Sequence, residues 1–339
     1  MWIASCTKLL AAVCALQCVE RGQFTLDEPV STVLPELANP QIVRKDESAP
    51  DGYTLTPAKN PITLRLLLTH TSGVAYEWGD PGLAAWRAKQ PPVPLEKRGY
   101  TTTTFGIPLL FEPGEGWVYG GGLDWAGELV GRLNGTNLGG YMEEHIFKPL
   151  GMKSTTFKLD QRPDLKERLM RAGKREADGK LTAFEGMVFP EKVVDYSGGG
   201  GLWSCATDYI KVLADLIKDE PTLLKRETVL NLLAKPQIEN EKALAGLVMG
   251  RAIAAANASP AQAGMNYGLG GMVLTKDSET LPNGTLSWGG LPNLKWFLHP
   301  ELGVAAIYAT QVMPHGDIKQ NWLSTEYFKE VLKLNAAKK

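Results

Sequence analysis

The sequence predicts an α+β fold, with a helical lobe followed by a lobe built on an antiparallel sheet. Three observations carry that expectation. Segments of helical apolar periodicity fill roughly the first two thirds of the chain, from Ile3–Val19 to SGGGGLWSCATDYIKVLADLIKDE. After about Asn240 the pattern changes to short, apolar, β-rich runs: YGLGGMVLTK, TLSWGG, LKWFLHP and GVAAIYATQ. A terminal amphipathic stretch, NWLSTEYFKEVLKL, has the pattern of a helix covering one face of that sheet. The expected division is therefore residues 1–240, mainly helical, and 241–339, sheet plus C-terminal helix, working as one unit.

Taken in order, Ile3 to Val19 suits a mostly buried helix, and Gly22 is its expected C-cap. GQFTLDEPVSTVLPEL reads as a turn and a Pro-bounded connection. Residues 40–61 are polar and Pro-rich, so a surface loop is expected there. ITLRLLLTHTSG predicts a short apolar helix ending at Gly73, followed by a loop-rich region from PPVPLEKRGY to FEPGEGWVYGGG. LDWAGELVGRLNG and YMEEHIFKPLG are helical in pattern. The glycine run Gly198–Gly201 leads into an amphipathic helix with Thr207 or Asp208 near its N-cap. Asn283-Gly284, between two of the β-rich runs, is a hairpin signal.

The 339 residues suffice for a large core, and the apolar and charged fractions, 44% and 22%, are those of an ordinary globular protein. A net charge of −1 without long basic or acidic blocks leaves no footprint for nucleic acid or an anionic membrane. The apolar run at the N-terminus is too short to cross a bilayer. Cys6, Cys14, Cys18 and Cys205 form no disulfide framework and read as small buried hydrophobes in a reducing, cytoplasmic compartment. The sequons at Asn134, Asn257 and Asn283 matter only in a secreted protein.

The commoner catalytic patterns are absent. No serine sits in G-x-S-x-G, no phosphate loop occurs, and Gly198–Gly201 lacks the lysine such a loop needs. His70, His145, His299 and His315 are scattered without metal spacing and read as capping or packing residues; no metal or cofactor is expected. What remains is Ser5-Cys6-Thr7-Lys8, the single S-x-x-K of the chain. Positions i and i+3 share a helix face, so a buried lysine, its pKa lowered by desolvation, is expected beside the serine hydroxyl. Serine is thereby activated without histidine.

ASCTKL, ITLRLLLTHTSG, FEPGEGWVYGGG, IFKPLGMKSTTF, GGGGLWSCATDY, YGLGGMVL and SWGGLPN follow one another along the chain. Together they resemble the serine β-lactamase and penicillin-binding-protein superfamily, most closely its class C β-lactamase-like branch of esterases and transesterases. ASCTKL and SWGGLPN are most similar to fungal transesterases of the lovastatin-acyltransferase type. The resemblance implies a β-lactamase/transpeptidase-like fold with Ser5 as nucleophile, Lys8 as its partner and Tyr119 as a second base. It leaves open which of Lys8 and Tyr119 takes the proton. It also implies an oxyanion hole from the Ser5 and Leu291 N–H groups, and a substrate-facing strand at Trp288, Gly289 and Gly290. His70 and the GGGG loop are expected to be structural, and Trp117 and Trp203 to be core.

Two departures from the family pattern bear on substrate. Trp288 stands where the K-T-G lysine would bind a carboxylate, and Gly121 where an asparagine would hold an acylamide. Both point away from β-lactams and peptides, toward an apolar acyl group on an ester or thioester. The resemblance thus implies a small-molecule acyl donor, with an acyl-carrier protein as a further candidate, and an alcohol acceptor from natural-product chemistry. Hydrolysis, making a carboxylesterase, is the alternative fate of the acyl-enzyme. In the family a helix and strands precede S-x-x-K, so the sheet is expected to lack N-terminal strands here. That expectation keeps a second class in view, an inactive homologue acting as a binding protein. A third reading is a secreted chain whose leader ends near Cys18 and takes Ser5 and Lys8 with it; no convincing cleavage site supports it.

Overall fold

Trp2 and Ile3 are tied to another segment as the chain enters the fold: Trp2 bridges Trp203, and the Ile3 N–H donates to the Leu202 carbonyl at 3.0 Å. The chain then turns sharply, with Ala4 in the left-handed region at φ +46°. A 3₁₀ turn, Ala4–Cys6, leads into helix α1 (Thr7–Glu20), so the helix starts four residues later than its apolar pattern begins. Every residue from Thr7 to Cys18 is buried, as a helix apolar on all sides requires. Gly22, at φ +68°, closes the helix by donating to the Val19 carbonyl.

The computed structural model describes residues 1–77, 80–186, 189–252 and 264–338; the sequon at Asn257 lies outside them. The stretch 40–61, expected as a loop, contains an antiparallel hairpin of β1 (Gln41–Lys45) and β2 (Tyr53–Pro57). Its polar composition concealed it, since Ile42 and Val43 are the two buried side chains of the pair. Helix α2 (Leu64–Leu68) is capped by the Thr63 side chain and ends earlier than expected, because His70 rather than Gly73 takes up the first left-handed conformation. Helix α3 (Pro81–Lys89) is capped by Asp80, and α4 (Gly122–Leu133) packs along α1.

Strands β3 (Gly173–Arg175) and β4 (Leu181–Ala183) form a small sheet completed later in the chain by β10 (Val312–Met313). Helix α5 (Ala206–Leu216) begins after Cys205 without a side-chain cap; the Asp208 carboxylate instead accepts the Ser154 N–H at 2.6 Å. After α6 (Glu241–Ala252) comes the main sheet, with β5 (Met265–Tyr267), β6 (Met272–Leu274), β7 (Leu286–Gly290), β8 (Leu294–His299) and β9 (Val304–Tyr308). It is antiparallel in sequential order, with the β6–β7 connection turning through Gly284 at φ +84°. The C-terminal helix α7 (Ile318–Ala336) lays Phe328 edge-on against Phe297 at 4.8 Å, covering one sheet face.

One cluster of buried side chains runs without a break from Ile3 through α1 and α4 to Trp296 and Ile307. Helix α1 lies inside it. Its N-terminal turn meets the end of β7, and that meeting point holds Ser5.

Candidate active site

Ser5 sits on the 3₁₀ turn that precedes α1, and the turn is fastened from several sides. The Thr7 hydroxyl donates to the Ala4 carbonyl at 2.7 Å and accepts the Leu202 N–H at 3.2 Å. The Tyr209 hydroxyl donates to the Cys6 carbonyl at 2.9 Å. Left-handed backbone at an alanine is strained by roughly 1 kcal/mol or more, and these bonds hold Ala4 in it.

Lys8 is buried, and its three N–H donors point at three neutral acceptors. They are the Gly199 carbonyl at 2.6 Å, the Tyr76 hydroxyl at 3.1 Å and Ser5 Oγ at 3.4 Å. The ammonium also lies over the Tyr119 ring, 4.5 Å from its centroid. Burial by itself lowers the lysine's pKa, but attraction to Tyr119, Tyr76 and Asp124 outweighs it and the net shift is upward. The expectation of a lowered lysine pKa is therefore corrected: desolvation is present, and the electron-rich surroundings override it. A lysine held as ammonium donates to Ser5 and is poorly suited to take its proton.

Tyr119 receives the Trp288 indole N–H on its hydroxyl at 3.3 Å. The two rings are 5.4 Å apart, and Tyr76, His70, Trp117 and Tyr267 complete an aromatic cluster around them. His70 is buried against Tyr119 at φ +62°, and its Nδ1 accepts the Gly120 N–H at 3.4 Å. Burial, with the Lys8 charge nearby, pushes its pKa well below the usual value, so it is a neutral packing group. The Cys6 thiol, next to Ser5, is pushed up by burial and stays protonated.

The glycines explain how backbone comes so close here. A Cβ on Gly290 would stand 2.5 Å from the Ile3 carbonyl, so the bare strand end lets β7 meet the Ser5 turn. A Cβ on Gly289 would stand 2.4 Å from the Leu294 carbonyl across the β7–β8 turn. Leu291 follows at the rim, and His315 Nδ1 lies 3.1 Å from its carbonyl oxygen. Among the described residues no set of His, Cys, Asp or Glu side chains converges as metal ligands.

A family model described as Beta-lactamase matches residues 1–326. The chain belongs to the Beta-lactamase family. Acyltransferase calJ of Penicillium decumbens is 38% identical over 323 residues, covering 93% of this chain and 76% of the relative. The lovastatin esterase of Penicillium rubens is 34% identical over 345 residues, covering 97% of this chain and 85% of the relative. Among solved structures, unliganded simvastatin synthase LovD of Aspergillus terreus is similar with a TM-score of 0.84 at 33% identity. The likeness covers 98% of this chain and 83% of that one. The fold is thus the β-lactamase/transpeptidase-like α+β fold, and these relatives are of the lovastatin-acyltransferase type.

Within this Beta-lactamase-family frame, the chain brings together Ser5, Lys8, Tyr119, Trp288, Gly289 and Gly290. The Gly121 position is taken up differently from expectation: a Cβ there would lie 2.4 Å from the Phe105 ring, so an aromatic side chain crowds the space. Sequence reasoning missed Tyr76, Phe105, Asp124 and Gly199. Tyr76 stands in no recognisable motif, while Phe105 and Asp124 carry no signal without their spatial neighbours. Gly199 did have one, the four-glycine run, but that run reads equally as packing. Trp117 and Trp203 are both buried in the core.

Proposed function

We propose that this chain is a serine acyltransferase that forms an acyl-enzyme on Ser5 and passes the acyl group to a natural-product alcohol. The observation that carries the reading is Ser5 Oγ at 3.4 Å from the buried Lys8 ammonium, within an aromatic cleft that includes Tyr119. The upward push on the Lys8 pKa favours Tyr119 as the group that takes the Ser5 proton. Oγ bonds to the acyl carbon while the bond to the leaving oxygen or sulfur breaks, and the proton on Tyr119 goes to the leaving group. In the second half the acceptor alcohol gives its proton to Tyr119, its oxygen takes the acyl carbon, and Ser5 regains a proton. The Ser5 and Leu291 N–H groups are the proposed oxyanion donors for both tetrahedral intermediates.

Trp288 and the surrounding aromatic rings favour an apolar acyl chain, on an ester or thioester donor. An acyl-carrier protein is one form of that thioester, and the unpaired cysteines fit a cytoplasmic setting. The relatives include both an acyltransferase and a lovastatin esterase, so water is the second acceptor in this proposal.

Incubation with an activated short-chain ester, with and without a decalin-type alcohol, tests the reading by intact mass and product analysis. The expected result is an acyl adduct mapped to Ser5, discharged faster when the alcohol is present, and absent from Ser5→Ala. Equal turnover by Ser5→Ala, or an adduct elsewhere, overturns it.

A further inference from the structure

The three hydrogen-bond acceptors of Lys8 are neutral, and a buried ammonium is stabilised by an opposing charge nearby. Asp124, in the first turn of α4, is also buried. Burial pushes its carboxyl pKa up, opposed by the Lys8 charge and by the bonds from Ser197 and Gly199. Its Oδ1 accepts the Ser197 hydroxyl at 2.6 Å and the Gly199 N–H at 3.0 Å. Its Oδ2 is buried with no hydrogen-bond partner among the described residues. Gly199 in turn gives its carbonyl to Lys8 at 2.6 Å, so one glycine spans from carboxylate to ammonium. A Cβ on that glycine would stand 2.3 Å from Asp124 Oδ2, which shows how tightly the loop is drawn onto the carboxylate.

A carboxylate serving only to tie down the 197–199 loop has no use for an unpartnered oxygen, since an asparagine would accept the same two bonds at lower desolvation cost. We propose that Asp124 is a positioning residue of the Ser5–Lys8 centre, its buried negative charge acting through Gly199 to hold the Lys8 ammonium against Ser5. The inference rests on the functional reading of Ser5 and Lys8 given above, and it extends the centre by a fourth side chain that touches no substrate. The other groups facing this pair are Tyr76, Tyr119, His70 and Cys6 around Lys8, and Asp195 near Asp124. Of these, Tyr76 also feels the Asp124 charge directly, which raises its pKa.

Asp124→Asn keeps an oxygen acceptor for Ser197 and Gly199, removes the charge and places an amide NH2 where the unpartnered oxygen was. Losing a nearby negative charge makes the ammonium easier to deprotonate. An ammonium held less firmly against Ser5 is expected to lower kcat about tenfold, with KM within about twofold. An unchanged kcat overturns the proposal.

A thermal-stability cycle with Lys8→Met supplies a readout independent of catalysis. With the cation gone the carboxylate is a lone buried charge, so Asp124→Asn is expected to change Tm more favourably in the Lys8→Met background than in the wild type. Additive changes overturn the proposal. If Lys8→Met alone does not fold, recovery of folding on adding Asp124→Asn supports it and failure to recover counts against it. The cycle reads the charge pair even if no acyl adduct forms on Ser5, so the two hypotheses fail separately.

Discussion

His70 shows at the scale of one residue how a family hallmark divides between chemistry and packing. It closes α2 in a left-handed conformation and lies against Tyr119, buried and neutral. Its folded pKa is depressed below the ordinary value near 6.5, so below that pH the unfolded chain takes up a proton that the folded chain refuses. His70 thus contributes stability above about pH 6.5 that is lost on acidification. We expect Tm to fall between pH 7 and pH 5, and Asn at this position, which tolerates the same backbone, to flatten that fall by roughly 1.4 kcal/mol per pH unit. Parallel melting curves for wild type and His70→Asn across this range would contradict it. Ser5 and Lys8 were legible in the sequence because their relation is local, one helical turn. The direction of the Lys8 pKa shift was not, because it depends on Tyr76, Tyr119 and Asp124, all distant in the chain.

Among elements, the one that places Ser5 is the short turn joining Trp2–Ile3 to α1. Apolar periodicity predicted a helix from Ile3, yet the first residues are pulled out of it by bonds to Leu202 and the bridge to Trp203. A long-range backbone bond of that kind leaves no trace in local periodicity. The same limit hid the β1–β2 hairpin, whose strands have few buried side chains. By contrast β7, β8, β9 and the Asn283-Gly284 turn were legible, since their alternation and turn chemistry are local. The contact between β7 and the Ser5 turn depends on Gly290 having no side chain. Gly290→Ala is expected to push the strand end from the turn and lower kcat on the order of 100-fold, because misplacement by an ångström is that costly. Far-ultraviolet circular dichroism should remain that of the wild type. Unchanged kcat would show that the approach of β7 is irrelevant to turnover.

For the whole molecule, the central fact is that α1 is the core's axis and follows directly on the turn that holds Ser5, the proposed nucleophile. The apolar run LLAAVCALQC, which resembles an export signal in isolation, is buried against α4 and the remainder of the core. Leu16→Ala should cost about 2–5 kcal/mol through the cavity it leaves. Because that core is continuous from helices to sheet, we expect one urea transition monitored by both near-ultraviolet signal and activity. Two separated transitions would mean that the helical and sheet parts unfold independently. The sequence by itself determined the fold class, the order of helices and strands, and the Ser5–Lys8 pair, since these follow from periodicity, turn residues and one helical spacing. Only the tertiary structure decided that the Lys8 pKa is pushed upward, that Trp288 bonds to Tyr119, and that Gly199 links Lys8 to a buried Asp124. Those are statements about electrostatics and close packing between segments far apart in the chain, 75 residues for Gly199–Asp124 and 191 for Lys8–Gly199. Such distances are set by the folded core and by no local pattern.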